Sequence, residues 1–202
     1  MVGIVYYNSG NLQSVRNAFQ KIGVPAEVVT EPEELKKYDR LLLPGVGAFG
    51  DAMEYLRARG LDEGLKEFAK LGRPLLGVCL GMQLLFQKSY EFGEHEGLGL
   101  LPGEVVPFNR EFLEEGQKIP HIGWNRLFQR GESPLLKGVG NPYLYFVHSY
   151  HISTGAPIVI GETKYGYHFP SGVQFQNIYG LQPHPEKSHW VGLKILENFC
   201  QL

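Results

Sequence analysis

The stretch that decides the fold is Gly77-Val78-Cys79-Leu80-Gly81, which reads Gly-x-Cys-x-Gly. It follows the apolar run Pro74-Leu75-Leu76 and precedes Met82-Gln83-Leu84-Leu85-Phe86, whose pattern is helical. A strand that turns sharply into a helix with a nucleophile at the tip is a nucleophile elbow, and glycines avoid clashes in such a turn. Free N–H groups of the new helix favour a thiolate and an adjacent oxyanion. A buried cysteine between two packing glycines explains the pentapeptide equally well.

Length and composition narrow the class of protein. The chain has 202 residues, of which 43% are hydrophobic, and this suits one domain over residues 1–202. A net charge of -2 gives no electrostatic reason to expect nucleic acid or a membrane surface as a partner. Two cysteines, Cys79 and Cys200, do not make a disulfide framework. The N-terminal residues lack the charged lead and long apolar run expected of a signal peptide, and no apolar stretch reaches the length of a membrane span. We therefore expect a cytoplasmic protein.

The first half of the chain alternates strand and helix patterns. Apolar runs at residues 2–7, 25–29, 40–43 and 74–78 predict buried strands. Helical spacing predicts helices from Leu12 to Ile22, around Met53 to Arg57 and from Leu61 to Leu71, and residues 31–37 predict a short charged helix. The polar residues 8–11 predict a turn and a helix N-cap. This alternation favours a parallel sheet with helices on both faces.

The second half changes character. Short apolar or aromatic runs at residues 98–101, 104–108, 126–129, 143–148, 158–163 and 172–176 predict strands, some of them antiparallel. Residues 190–199 predict a final helix that covers the sheet. We therefore predict an α/β fold in a single domain. Its sheet is open, mixed and mostly parallel, is flanked by helices, and has antiparallel strands in the C-terminal half.

A cysteine nucleophile needs a base and a group that orients the base. The best-placed pair is His184 and Glu186 in Gln182-Pro183-His184-Pro185-Glu186. Pro185 favours an extended conformation at His184, and residues i and i+2 of an extended segment point to the same side. The carboxylate can thus hold one ring nitrogen while the other faces the thiol. Taken alone, the segment is more typical of an exposed proline-rich loop without a chemical role.

The two motifs together resemble those of the class I glutamine amidotransferases. The resemblance implies that fold and a glutaminase with the triad Cys79, His184 and Glu186. A third match is Pro44-Gly45-Val46-Gly47, which on its own could be an ordinary turn. In the family this loop lines the oxyanion hole, so the resemblance assigns the hole to Leu80 on one side and to Val46 and Gly47 on the other. Such a hole needs two backbone N–H groups aimed at the developing oxyanion.

The resemblance also implies where glutamine binds. It assigns Gln83, Glu91, Ser149 and Tyr150 to the substrate site, with Glu91 as the partner of the substrate ammonium. Glu91 could instead be a solvated charge at a helix end. No metal or cofactor is implied, and the chain has no P-loop that would bind an acceptor.

The chain matches most fully those family members that pass ammonia to a cyclase. The match runs over essentially the whole sequence and includes residues 7–12, 118–125 and 145–150. It implies a heterodimer with a (β/α)8-barrel cyclase of histidine biosynthesis. In the family, the stretches that contain Asn11, Trp124 and Lys187 face the cyclase, and these residues are our predicted interface. One departure is Pro183, where the family usually has an aromatic residue, and this proline puts the local strand pairing in doubt.

Three other functions remain open at this point. The chain could supply ammonia to a partner that modifies a sugar, which the triad cannot distinguish from the cyclase. It could be a regulator that keeps the fold without activity, although the intact triad argues against this. Cysteine peptidase-like and chaperone-like proteins with an elbow cysteine share the fold class, but they generally do not need the His-Pro-Glu pair.

Overall fold

The computed structural model describes residues 1–8 and 11–202. In the first half, strands and helices alternate as the sequence predicts. The elements are β1 (Val2–Val5), α1 (Leu12–Lys21), β2 (Ala26–Val29), β3 (Arg40–Leu43), α2 (Phe49–Ala58), α3 (Leu61–Lys70), β4 (Leu75–Val78) and α4 (Leu80–Leu84). The short charged helix is a 3-10 helix, Pro32–Lys37. Of the predicted turn at residues 8–11, Ser9 and Gly10 lie outside the described residues.

The second half consists mainly of strands. They are β5 (Phe86–Ser89), β6 (His95–Glu96), β7 (Leu101–Pro107), β8 (His121–Arg126), β9 (Phe128–Gln129), β10 (Tyr143–His148), β11 (Tyr150–Ser153), β12 (Val159–Tyr165), β13 (Tyr167–Phe175) and β14 (Ile178–Leu181). The last helix, α5, spans His189–Gln201. Short 3-10 helices lie at Arg110–Phe112, Pro134–Leu136 and Pro185–Lys187. Within the part of the chain that is described, no helix has the length and apolarity needed to span a membrane.

The main sheet has eight strands in the order β2-β1-β3-β4-β14-β13-β12-β9. The strands from β2 to β14 run parallel, and those from β14 to β9 pair antiparallel. A two-stranded sheet, β10-β8, and a four-stranded sheet, β11-β7-β5-β6, complete the fold. The predicted α/β architecture with a mixed, mostly parallel sheet is confirmed.

Helices cover both faces of the main sheet, as the side chains of β3 show. Leu41 and Leu43 pack in the core that contains Phe49 and Phe68 of α2 and α3. Leu42 points the other way, into the core formed with α1 and α5. This alternation follows from the two-residue period of a strand, and it explains why β3 reads as a continuous apolar run.

The sequence patterns misplaced several element boundaries. The helix predicted to reach Phe86 ends at Leu84, because Phe86 begins β5 and pairs with Leu101 of β7. Two strands were predicted at residues 98–101 and 104–108, but the structure has a single strand there, β7. One strand was predicted at residues 126–129, but this segment is divided between β8 and β9, which lie in different sheets. Strands β5, β6, β11 and β14 were not predicted, and of β8 only Arg126 was. The omission of β14 matters most, since Leu181 at its end lies beside Val78 at the end of β4.

Candidate active site

The turn from β4 into α4 has the geometry of a nucleophile elbow. Cys79 lies between the two elements with φ 54° and ψ -113°, a conformation that is unfavourable for a residue with a side chain. A Cβ on Gly77 would lie 2.6 Å from the carbonyl oxygen of Gly81, and a Cβ on Gly81 would lie 1.8 Å from that of Leu43. Both positions therefore require glycine, as expected for a strand that turns sharply into a helix.

His184 and Glu186 form a buried pair. Nδ1 of His184 lies 2.7 Å from Oε1 of Glu186, and the two side chains are 1% and 3% exposed. Nε2 of His184 is buried and has no hydrogen-bond partner among residues 1–8 and 11–202. Burial opposes the charged imidazole, but the Cys79 sulfur and the Glu186 carboxylate together raise the pKa of His184 above its ordinary value. The free ring nitrogen can therefore take and return a proton beside the thiol.

Asn11 also belongs to this pair, which the sequence did not reveal. Its Nδ2 donates a hydrogen bond to Oε1 of Glu186 at 3.0 Å. Asn11 occupies the N-cap position of α1, yet its side chain makes no capping bond. The predicted N-cap contact is thus replaced by a contact with the carboxylate, 175 positions away in sequence.

The segment that contains His184 is fixed by hydrogen bonds on both sides of Pro183. The N–H of Gln182 donates to a carbonyl of β13, and that of His184 donates to the Tyr145 carbonyl, both at 2.9 Å. The hydroxyl of Ser188 accepts from the Tyr145 N–H at 3.0 Å and donates to the His184 carbonyl at 2.5 Å. Pro183 lacks an N–H, but the backbone hydrogen bonds of the residues on either side of it are intact. The local strand pairing, which the sequence put in doubt at this proline, is therefore kept.

A cavity of about 240 Å³ adjoins the cysteine. It brings together the predicted nucleophile, the three predicted oxyanion residues and the four predicted substrate residues. Its lining comprises Val46, Gly47, Cys79, Leu80, Gln83, Glu91, Pro120, Val147, His148, Ser149 and Tyr150. Gly47 has φ 117°, which residues with side chains rarely adopt, so the loop opposite the elbow also depends on a glycine.

Two of the predicted substrate residues have specific partners in the protein. Nε2 of Gln83 donates to the Tyr150 carbonyl and to Oε1 of Gln182, each at 3.1 Å. Oε2 of Glu91 accepts from the N–H of Phe49 at the start of α2, at 2.7 Å. Glu91 is half-buried and lies in a turn after β5 and not at a helix end, and its burial raises its pKa. Both side chains are held at the cavity wall.

Comparison with known proteins agrees with this geometry. The family model described as glutamine amidotransferase class-I matches residues 4–202. The chain belongs to the class-I glutamine amidotransferases. Two similar proteins are both called imidazole glycerol phosphate synthase subunit HisH. The one from Wolinella succinogenes is 59% identical over 100% of each chain, and the one from Bacillus subtilis is 47% identical over 100% of this chain and 96% of its own.

Solved structures of amidotransferases share the fold at low sequence identity. The structure of PurLQS from Thermotoga maritima superimposes with a TM-score of 0.78 at 18% identity and covers 99% of this chain and 97% of its own. A crystal structure titled as a glutamine amidotransferase gives a TM-score of 0.75 at 20% identity, with 98% of each chain covered. These likenesses support the fold of the class-I amidotransferases.

A series of hydrogen bonds through His121 and His148 supports one wall of the amidotransferase cavity. Nδ2 of Asn125 lies 3.2 Å from Nε2 of His121, Nδ1 of His121 lies 3.0 Å from Nε2 of His148, and Nδ1 of His148 lies 2.7 Å from the Tyr150 carbonyl. A carbonyl only accepts, so every hydrogen bond in the series donates toward Tyr150. Burial lowers the pKa of His121 to about 4 and that of His148 well below its ordinary value, so both are neutral. The sequence stretches 118–125 and 145–150 contained this signal, but no residue pattern showed that the two would pair.

Two of the three predicted interface residues lie on an aromatic surface, which consists of Ile122, Trp124, Tyr145, Lys187 and His189. Trp124 is 46% exposed and stacks on His189 with ring centroids 4.8 Å apart. Nζ of Lys187 lies 5.8 Å from the Tyr145 ring, and Ile122 is 60% exposed. Of the predicted interface residues, Trp124 and Lys187 belong to this surface, whereas Asn11 contacts the buried carboxylate.

Proposed function

We propose that this chain is the glutaminase subunit of an imidazole glycerol phosphate synthase. It hydrolyses glutamine in the cytoplasm and passes the ammonia to a cyclase subunit with a (β/α)8-barrel fold in histidine biosynthesis. The observation that carries the proposal is an elbow cysteine at the wall of a cavity, whose sulfur interacts with the histidine of a buried His–Glu pair. We choose imidazole glycerol phosphate synthase because relatives that match the whole chain carry that name. The triad residues alone do not distinguish this synthase from other amidotransferases.

The first half of the reaction forms a thioester and releases ammonia. His184 takes the thiol proton of Cys79 through Nε2, and Glu186 stabilises the resulting imidazolium through Nδ1. The thiolate attacks the side-chain amide carbon of glutamine, and the carbonyl electrons move onto oxygen. When the tetrahedral intermediate collapses, the C–N bond breaks and the leaving nitrogen takes the proton from His184. Ammonia departs, and the acyl group remains bonded to the Cys79 sulfur.

The second half hydrolyses the thioester. His184 takes a proton from water as the water oxygen attacks the acyl carbon. The second tetrahedral intermediate collapses with cleavage of the C–S bond, which releases glutamate and restores the thiolate beside the imidazolium. In both halves, the oxyanion would accept hydrogen bonds from the Leu80 N–H and from the loop that contains Val46 and Gly47.

The substrate residues hold the part of glutamine that does not react. Gln83 donates both of its amide hydrogens within the protein, so its Oε1 is left to accept from the substrate. Glu91 pairs with the substrate ammonium, and the Ser149–Tyr150 backbone binds the α-carboxylate and ammonium groups. This assignment makes the cavity specific for an amino acid and not for a simple amide.

The aromatic surface is the proposed contact with the cyclase. Aromatic residues are enriched in protein interfaces, and this surface adjoins the segment that carries His184 and Glu186. Ammonia released at Cys79 would therefore leave beside the partner. Asn11 would link the cyclase interface to the catalytic pair. It lies in a stretch that faces the cyclase in the family, and its side chain contacts Glu186.

A glutaminase assay tests the proposal. Glutamate release is measured for the purified chain alone, with a cyclase subunit, and with that cyclase and its nucleotide ligand. We expect the cyclase to bind and to raise the rate, and we expect Cys79→Ala to abolish it. If Cys79→Ala keeps most of the activity, the triad is wrong. If the chain hydrolyses glutamine but no cyclase binds or activates it, the synthase is wrong and a sugar-modifying partner becomes the better choice.

A further inference from the structure

Gln182 is a buried polar side chain that the mechanism above does not use. It is 0% exposed and lies between the end of β14 and the His184 segment. Burial of an amide is costly unless its donors and acceptors are satisfied, so its hydrogen bonds define its orientation.

The neighbours of Gln182 fix which end of its amide faces the cysteine. Gln83 contacts the Tyr150 carbonyl, which only accepts, so the Gln83 atom at that point is the amide nitrogen. The same nitrogen donates to Gln182, and the Gln182 atom facing it is therefore the oxygen. The Gln182 nitrogen is left on the other side, 3.7 Å from Sγ of Cys79. Its N–H points toward the reacting sulfur.

Besides its interaction with His184, the sulfur has two contacts that favour different protonation states. Sγ lies 3.8 Å from the Val147 carbonyl, which can accept from a thiol but offers nothing to a thiolate. The N–H of Gln182 is a partner for either state, and its hydrogen bond strengthens when the sulfur becomes an anion. Ionisation of Cys79 thus exchanges the Val147 contact for a stronger contact with Gln182.

We propose that Gln182 is a further catalytic residue, which donates a hydrogen bond to the Cys79 thiolate and aligns the sulfur beside His184. Through its oxygen it also links the sulfur to Gln83, so the nucleophile and the substrate site share one amide network. The role in turnover rests on the proposed glutaminase function, whereas the contact with the thiolate can be measured without any turnover.

Alkylation of Cys79 by iodoacetamide tests the contact. The rate is measured against pH in a Cys200→Ser background, which leaves a single cysteine, for the parent and for Gln182→Met and Gln182→Leu. We expect both variants to react about tenfold more slowly near pH 7, because a charge-assisted hydrogen bond is lost, and to match the parent on the alkaline plateau. The midpoint of the profile therefore moves to higher pH, which a purely structural defect would not produce.

A matched control removes a buried amide elsewhere. Asn198 in α5 donates to the carbonyls of Leu135 and Lys137 and does not line the cavity, so Asn198→Leu should weaken the fold without moving the midpoint. If the Gln182 variants share the parent midpoint, the proposal fails. If the midpoint moves but the parent hydrolyses no glutamine with or without a cyclase, the contact survives and the proposed function fails.

If the Gln182 variants do not fold, the contact can still be tested on the natural Gln182 side chain. The amide protons of Gln182 are followed by NMR in the Cys200→Ser chain during a pH titration, and Cys79→Ser provides the comparison. We expect one amide proton to shift downfield as Cys79 ionises and to stay fixed in Cys79→Ser. A signal that does not respond to ionisation of the cysteine would overturn the proposal.

Discussion

At the scale of single residues, the site combines a strained backbone with closely matched polar contacts. Cys79 has a positive φ, and a strained conformation of this kind costs about 1 to 3 kcal/mol. The surrounding elements hold it there, because Gly77 and Gly81 leave the turn no room to relax. The nucleophile is thus presented at the expense of stability, as expected where a side chain must project from a tight turn.

The strain predicts an unusual order of stability among inactive variants. Cys79→Gly removes the Cβ that makes the conformation unfavourable, whereas Cys79→Ala keeps it. After allowing for the greater freedom of glycine in the unfolded chain, we expect Cys79→Gly to be more stable than Cys79→Ala by about 1 kcal/mol. Urea unfolding of the two proteins measures the difference. Equal stability, or a more stable alanine variant, would show that the turn is not strained.

The buried pair predicts a large effect of removing one charge. Glu186→Gln takes away the carboxylate that raises the pKa of His184, so the imidazolium forms less readily and glutaminase activity should fall by about 100-fold or more. The activity is measured with the cyclase present. Glu162→Gln is the control, since Glu162 pairs with Arg130 and does not line the cavity. A Glu186→Gln variant with near-normal activity would remove Glu186 from the mechanism.

At the scale of elements, the sequence predicted the strand-helix alternation and the elbow because both leave local patterns. It did not predict β14, because residues 172–181 form two strands joined at Gln176 and Asn177, without the glycine or proline that usually marks a turn. It also missed the end of α4 at Leu84, since pairing of Phe86 with β7 depends on residues distant in sequence. The pairing of His121 with His148 was missed for the same reason.

The packing of the elbow against β3 predicts that Gly81 cannot be replaced. A Cβ at this position would meet the Leu43 carbonyl at 1.8 Å, and backbone on both sides cannot move aside. We expect Gly81→Ala to lose about 3 kcal/mol of stability. Gly155→Ala is the control, because a Cβ there meets nothing within 4 Å. Chemical denaturation compares the two, and a Gly81→Ala protein as stable as the control would contradict the elbow geometry.

At the scale of the whole molecule, buried histidines set the response to acid. Burial lowers the pKa of His121, His148 and His151 below their ordinary values. When folding lowers the pKa of a histidine, the stabilisation is fully present at pH values above the pKa of that histidine in the unfolded chain. It is lost as the pH falls below that pKa. His184 behaves in the opposite way: its raised pKa gives stability that is present at low pH and is lost as the pH rises. The three buried histidines therefore make the fold sensitive to acid.

The share of His121 in this acid response can be measured. The pKa of His121 falls from 6.5 to about 4, so protonation of this ring opposes folding by about 2 kcal/mol at pH 5. His121→Asn keeps a donor toward His148 but does not titrate. We expect it to be less stable at pH 7 and to lose about 2 kcal/mol less than the parent between pH 7 and pH 5. Urea unfolding at both values measures this, and equal losses would exclude His121 as the source.

The aromatic surface also has a consequence for how the cell makes this chain. Ile122 and Trp124 present apolar groups to water in the chain alone, and surfaces of this kind promote self-association. In the proposed complex the cyclase covers this surface, so chains produced in excess of the cyclase would keep it exposed. The balance of synthesis between the two subunits would then determine how much of the chain stays in solution, as well as how much ammonia is delivered.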